Sequence, residues 1–168
     1  MPEAIIVREY GNSKVLNLEE ESVDDPSEGE LLIRQTAIGV NYHDVYVRSG
    51  LYKTLNLPGI PGCEATGVIE KVGRGITKFQ PGNRIVYITS GYGAYANHHL
   101  LDEKLALKLS NIVSDELIAT NFLRTMTVKM LIEQVVQLTS DHTILVTVAA
   151  GGVDRIICQW ANSLGACV

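Results

Sequence analysis

The chain has 168 residues, 46% of them hydrophobic, and a formal net charge of −5. That length allows one ordinary domain or one domain plus part of another, and the acidic balance excludes a phosphate-tracking nucleic-acid surface. No apolar run is long enough to cross a membrane, and the opening MPEAIIVREY lacks a basic start and is broken by Arg8 and Glu9, so it is not read as a signal peptide.

The first two thirds read as β-rich. Ala4–Val7, Leu31–Ala37, Thr66–Val72, Arg84–Ile88 and Ala94–Leu100 are short apolar or alternating runs. Turn residues punctuate them: Pro58-Gly59, Pro61-Gly62, and Pro81-Gly82-Asn83, where proline presets φ and glycine tolerates a positive φ. This spacing predicts an irregular barrel or sandwich. The pattern changes near Asn111. Ser114 caps a predicted helix with Asp115 and Glu116 in its first turn, and helical spacing continues to about Gln137. Thr143–Ala149 is a continuous apolar run, as in a strand buried on both faces of a parallel sheet. A loop, Ala150-Gly151-Gly152, precedes a second predicted helix, Val153–Leu164. Gly165 stops it, and Ala166–Val168 would begin another strand. The expected organisation is therefore a domain over residues 1–120, then a helical connection and one strand–loop–helix unit over residues 121–168.

Two stretches carry chemistry. A pyrophosphate at a helix N-terminus is held by free backbone N–H groups and the positive end of the dipole, and loop side chains obstruct it. Against the pattern G-x-G-x-x-G the chain reads Ala149-Ala150-Gly151-Gly152-Val153-Asp154, with only the middle glycine in place. Asp154 either repels phosphate or favours the dipole as a first-turn acid. A glycine turn between any strand and helix would look similar. The second stretch, Gly39-Val40-Asn41-Tyr42-His43-Asp44 with Tyr46, Arg48 and Tyr52 behind it, is dense in amide and phenol groups. These can orient a nicotinamide and a planar carbonyl; the alternative is that the tyrosines are half-buried packing residues.

Metal binding has a weaker basis. Cys63, His43, Asp44 and Glu64 assemble into a zinc site only on paper, there is no C-x-x-C pair, and a four-cysteine lobe cannot be made from three cysteines. Cys63 is expected to be a small buried residue. Cys63, Cys158 and Cys167 are odd in number and widely spaced, which predicts no disulfide framework and a reducing, cytoplasmic setting.

Several motifs together resemble one family. Gly39–Tyr52, Pro61–Ile69, Phe79–Val86 and Gly93–Ala96 are similar to segments of the zinc-free NADPH-dependent quinone oxidoreductases of the medium-chain dehydrogenase/reductase superfamily, as is Ala149–Val153 with its following helix. The resemblance implies a mainly β GroES-like domain followed by the truncated start of an α/β Rossmann domain. It implies hydride transfer from NADPH to a quinone or conjugated carbonyl, with the cofactor supplying the chemistry. Asn41 stands where zinc-binding members have cysteine and Cys63 where they have histidine, which fits the zinc-free branch. By the same resemblance Asn41, Tyr46 and Tyr52 are the catalytic candidates. Asn41, Tyr46 and Thr127 would lie by the nicotinamide, and Ala150, Gly151, Gly152 and Val153 by the phosphates. Asp154 and the residues flanking Thr127-Val128 depart from the family pattern.

A complete nucleotide domain has about six parallel strands, and these residues supply one and the start of a second. The ribose selector that separates NADPH from NADH lies beyond them. The expectation is thus a truncated chain without activity alone, or a non-catalytic GroES-like remnant serving as a binding or assembly module. A lone Thr143–Ala149 strand has open edges, which predicts a poorly ordered tail or a homo-oligomer formed through it.

Overall fold

The computed structural model describes all 168 residues. They divide into two compact units, Met1–Thr120 and Asn121–Val168.

In the first unit β1 (Glu3–Ile6) pairs antiparallel with β2 (Asn17–Glu20). The main sheet holds β3 (Glu30–Ile38), β4 (Glu64–Val72), β5 (Arg84–Ile88), β6 (His98–Asp102) and β7 (Ala106–Lys108), all antiparallel, in the order β6-β3-β4-β5-β7. Leu31, Ile33, Ala65, Ile69, Ile85, Tyr87 and Leu101 project from these strands into one buried cluster. Two register shifts break the β3–β4 ladder, one between Gln35 and Ala37. Gly67 pairs with Gln35 there, and a Cβ on it would stand 2.6 Å from the Arg34 carbonyl and 2.5 Å from Ile33. The bulge brings the strands closer than a side chain permits, so glycine is required. Gly82 takes φ +87° in the Gln80–Asn83 turn, as its proline-glycine sequence predicts.

Helix α1 (Tyr42–Ser49) belongs to this unit, and helix α2 (Asp115–Lys129) begins in it and continues into the second. Arg84 anchors the start of α2. It donates to the carbonyls of Ser110 (2.7 Å) and Val113 (2.8 Å) and to the Asp115 carboxylate. Burial pushes the Asp115 carboxyl up, but hydrogen bonds from Thr36 and Arg84, with the Arg84 charge, outweigh it and hold its pKa below the ordinary value.

In the second unit α2 runs into a π-helical turn, Met130–Val135, which ends at Gln137 with φ +52°. Val128, Ile132, Leu138, Ala161 and Ala166 form its small core, with Trp160 packed against them. Helix α3 (Gly152–Ser163) follows the glycine loop. The expected strand Thr143–Ala149 is corrected: it makes one parallel bridge, Thr143 to Cys167, and turns at residues 147–150. Ile144 donates to Cys167 and Cys167 to His142, at 2.9 and 3.0 Å. Parallel strands take every ladder bond from neighbours, and Cys167 is the one neighbour bridged here. The same holds for the expected strand at Ala166–Val168. In the first unit the strand expected at 94–100 begins at His98, and β2, β7 and α1 go beyond the elements expected from sequence.

Candidate active site

The first cluster of site residues is organised by α1. Asn41 is its N-cap, with φ −123° and ψ +156°. Asp44, three residues on, reaches back: its Oδ2 accepts the Asn41 N–H at 2.8 Å, as the acid of a capping box does. Gly50 ends the helix in the left-handed region at φ +82°, donating to the Val47 carbonyl at 3.1 Å. Val47 is fully buried with Val7, Leu55 and Tyr92, which fixes the helix's rotation.

That rotation sends Tyr42 and Tyr46, one turn apart, outward. Tyr46 is 37% and Tyr52 46% exposed. Tyr46 and Tyr52 meet edge to face, 5.4 Å between centroids and 67° between planes, and the Tyr52 N–H donates to the Tyr46 carbonyl at 3.1 Å. Behind them the His43 ring lies 5.8 Å from Tyr52 and stacks on Tyr92 at 6.0 Å and 14°. The Tyr92 hydroxyl bridges His43 Nε2 (3.3 Å) and Thr54 Oγ1 (2.5 Å). The structure thus brings Asn41, Tyr46 and Tyr52 onto one helix end and the turn that follows it.

Beneath Asn41 lies a polar layer. Its Nδ2 donates to Glu64 Oε1 at 2.7 Å, and the Tyr95 hydroxyl donates to Asp44 Oδ2 at 3.0 Å. Asp44 Oδ1 and Arg48 Nε are buried without a hydrogen-bond partner. Cys63 is buried beside this layer. Burial, then the charges of Asp44 and Glu64, push its thiol up to about 12. No group of three or more His, Cys, Asp or Glu side chains is arranged to hold a metal ion.

The remaining candidates belong to the second unit. The Thr127 hydroxyl donates back to the Leu123 carbonyl at 2.9 Å. Gly151 is the N-cap of α3 with no side-chain cap bond, and Gly152 and Val153 open the helix. Ala150 sits in the exposed turn before it. A Cβ on Gly151 would collide with the Asp154 carboxylate, and one on Gly152 would stand 2.8 Å from Arg124 Cδ and 2.9 Å from its Nε. Both glycines therefore make room for neighbouring side chains, and the Gly151 N–H is used within the loop, donating to the Val148 carbonyl at 2.8 Å.

Residues 27–111 match the alcohol dehydrogenase GroES-like domain. The chain belongs to that family. Escherichia coli quinone oxidoreductase 1 is 40% identical over 99% of the chain and 51% of its own length. The solved structure of E. coli quinone oxidoreductase complexed with NADPH shares 39% identity at a TM-score of 0.93, covering 98% of this chain and 50% of that one. A 2-haloacrylate reductase of Burkholderia is 33% identical over 98% of the chain and 51% of its length. The chain spans about half the length of the curated relatives it matches. By these likenesses the chain corresponds to about half of a quinone oxidoreductase, the part that carries the GroES-like domain.

Within this GroES-like domain, the sequence reading gave His43, Asp44 and Glu64 no individual role beyond the paper metal set, placed Tyr95 only within the Gly93–Ala96 motif, and did not single out Tyr92. The Asn-x-x-Asp spacing of Asn41 and Asp44, followed by Gly50, is a local signal for α1 that could have been used. The Asn41–Glu64 bond joins residues 23 apart and has no local signal.

Proposed function

We propose that this chain is the catalytic-domain half of an NADPH-dependent quinone reductase that passes hydride to a quinone or a similar conjugated carbonyl without zinc. The observation that carries this reading is the fold-level and sequence likeness, over nearly the whole chain, to an enzyme solved with NADPH. Bound NADPH supplies the hydride. Asn41 offers an amide, and Tyr46 and Tyr52 offer ring edges and phenols to a flat conjugated ring. Thr127 offers a hydroxyl. The phosphates would lie by Ala150, Gly151, Gly152 and Val153, where the first turn of α3 offers the N–H groups of Gly152 and Val153, the Gly151 N–H being bonded to the Val148 carbonyl. The missing side chains of Gly151 and Gly152 fit that task. The Asp154 carboxylate opposes it, and the Arg124 guanidinium against Gly152 offsets the opposing charge. Residues 1–120 form the catalytic domain in this reading, and 121–168 the helical connection and first nucleotide-binding element. The three free thiols fit a cytoplasmic setting.

One observation favours a second reading, a non-catalytic binding or assembly module that associates through the 143–149 segment. Leu145 is 90% exposed. A fluorescence titration with NADPH, then NADPH oxidation with a quinone or a haloacrylate as acceptor, separates the readings. Saturable binding with turnover supports the reductase and ranks its acceptors. No binding at millimolar NADPH, with self-association in sedimentation, supports the module.

A further inference from the structure

An asparagine side chain is nearly symmetric in shape and opposite in chemistry at its two ends: Oδ1 accepts and Nδ2 donates. Packing alone rarely chooses between the two orientations, so a partner must. Here the partner is Glu64, 1% exposed, whose Oε1 lies 2.7 Å from Asn41 Nδ2. As a carboxylate Glu64 can only accept, so it takes the Nδ2 end of the amide. Glu64 is itself immobilised. The Gly39 N–H donates to its backbone carbonyl at 3.1 Å, and a Cβ on Gly39 would stand 2.5 Å from its Oε1. On the other side the Asn41 backbone is pinned by Asp44, 4% exposed, which Tyr95 holds in turn.

We propose that Glu64 is a positioning residue: its carboxylate draws the Nδ2 end of the Asn41 amide inward, and so leaves Oδ1 as the acceptor that this end of α1 presents to the N–H of a carboxamide ligand. The inference rests on the proposed reductase reading for its ligand and on the geometry alone for the clamp. With a partner able both to donate and to accept, only the capping-box pull of the Asp44 backbone N–H on the Asn41 side chain would oppose turning the amide over and exchanging the group on offer.

The test uses the 168-residue protein and three variants: Glu64→Gln, Asn41→Asp and the double variant Asn41→Asp/Glu64→Gln. In the 15N-labelled wild type, the two Asn41 amide protons should be widely separated and slow to exchange. Glu64→Gln should collapse that separation. Asn41→Asp sets two carboxyls at hydrogen-bond distance, where one must keep a proton. Its folded pKa is then raised, so stability is present at low pH and lost as pH rises through the folded value. The double variant reverses the bond: the amide introduced at position 64 donates to the carboxylate introduced at position 41. It should therefore remove that pH dependence. Asp44, Arg48, Cys63 and Tyr95 surround the pair in every variant, so difference profiles cancel them.

With NADPH and duroquinone, kcat should fall by about tenfold or more in Glu64→Gln and in the stable double variant, with KM for NADPH within about twofold. Unchanged Asn41 amide signals in Glu64→Gln, or a double variant as pH-sensitive as Asn41→Asp, overturns the proposal. If Glu64→Gln does not fold, the Asn41→Asp profile decides. A wild-type chain that binds no NADPH at millimolar concentration overturns the reductase reading instead, while the amide signals and the reversed pair still decide what Glu64 does.

Discussion

The two places where glycine meets a candidate site differ in what stands against the missing side chain. At Gly39 the neighbours are buried Glu64 and the Ala119 carbonyl, both fixed by hydrogen-bonded structure. At Gly152 the neighbour is the Arg124 side chain, a flexible chain that can swing aside. The first site is made of side chains locked to one another; the second is made of backbone with adjustable cover. A substituted Asn41 cluster therefore has few ways to recover, whereas the loop before α3 can trade one arrangement for another.

Four measurements sharpen or break this contrast. Gly39→Val drives a Cβ into backbone and a buried carboxylate, and should cost about 3 kcal/mol in urea unfolding as an overpacked core does. A loss below about 1 kcal/mol would show that the cluster yields as easily as the loop. Next is His99, half-buried and stacked on Tyr87 at 5.4 Å, where burial lowers its pKa from 6.5 to about 4. Its folded pKa lies below the unfolded one, so the unfolded chain takes up the proton first. Stability should fall as pH drops through 6.5 and level off below about 4. His99→Phe should flatten that part of the melting-temperature profile, by on the order of 2 kcal/mol at its acid end. Gly152→Val should cost only about 1 kcal/mol, with any larger loss appearing in NADPH affinity rather than in melting. Smallest of all, Leu145→Lys should change stability by less than about 0.5 kcal/mol, since the side chain is exposed. A larger change, or a shift in sedimentation, would mean that this segment is covered in solution.

The β-rich character of the first unit was legible because its strands are half-buried and alternate. Arg84–Ile88 is found at its expected bounds. Helix α1 was not, because two turns whose buried residues are Val47 and Asp44 give no periodicity to read. Thr143–Ala149 misleads for the opposite reason. Its β-branched and apolar residues suit a strand, but a strand exists only where neighbours supply hydrogen bonds, and that is a property of chain elsewhere. The same nonlocality hides Glu64: a glutamate in Gly62-Cys63-Glu64-Ala65 says nothing about an amide 23 residues earlier. Asn41, Tyr46 and Tyr52 were reachable from their density of functional groups, and their convergence on one helix end follows from the cap at Asn41 and the stop at Gly50.

The burial of Cys63 bears on chemical survival. Quinones are electrophiles that alkylate thiolates by conjugate addition, so under the proposed reductase function a cysteine beside α1 is a target for self-inactivation. Burial, with the charges of Asp44 and Glu64, pushes the Cys63 thiol up to about 12 and so holds it in the protonated form, the poor nucleophile. Cys167 is exposed, so of these two thiols it is the one that an electrophile in solution reaches.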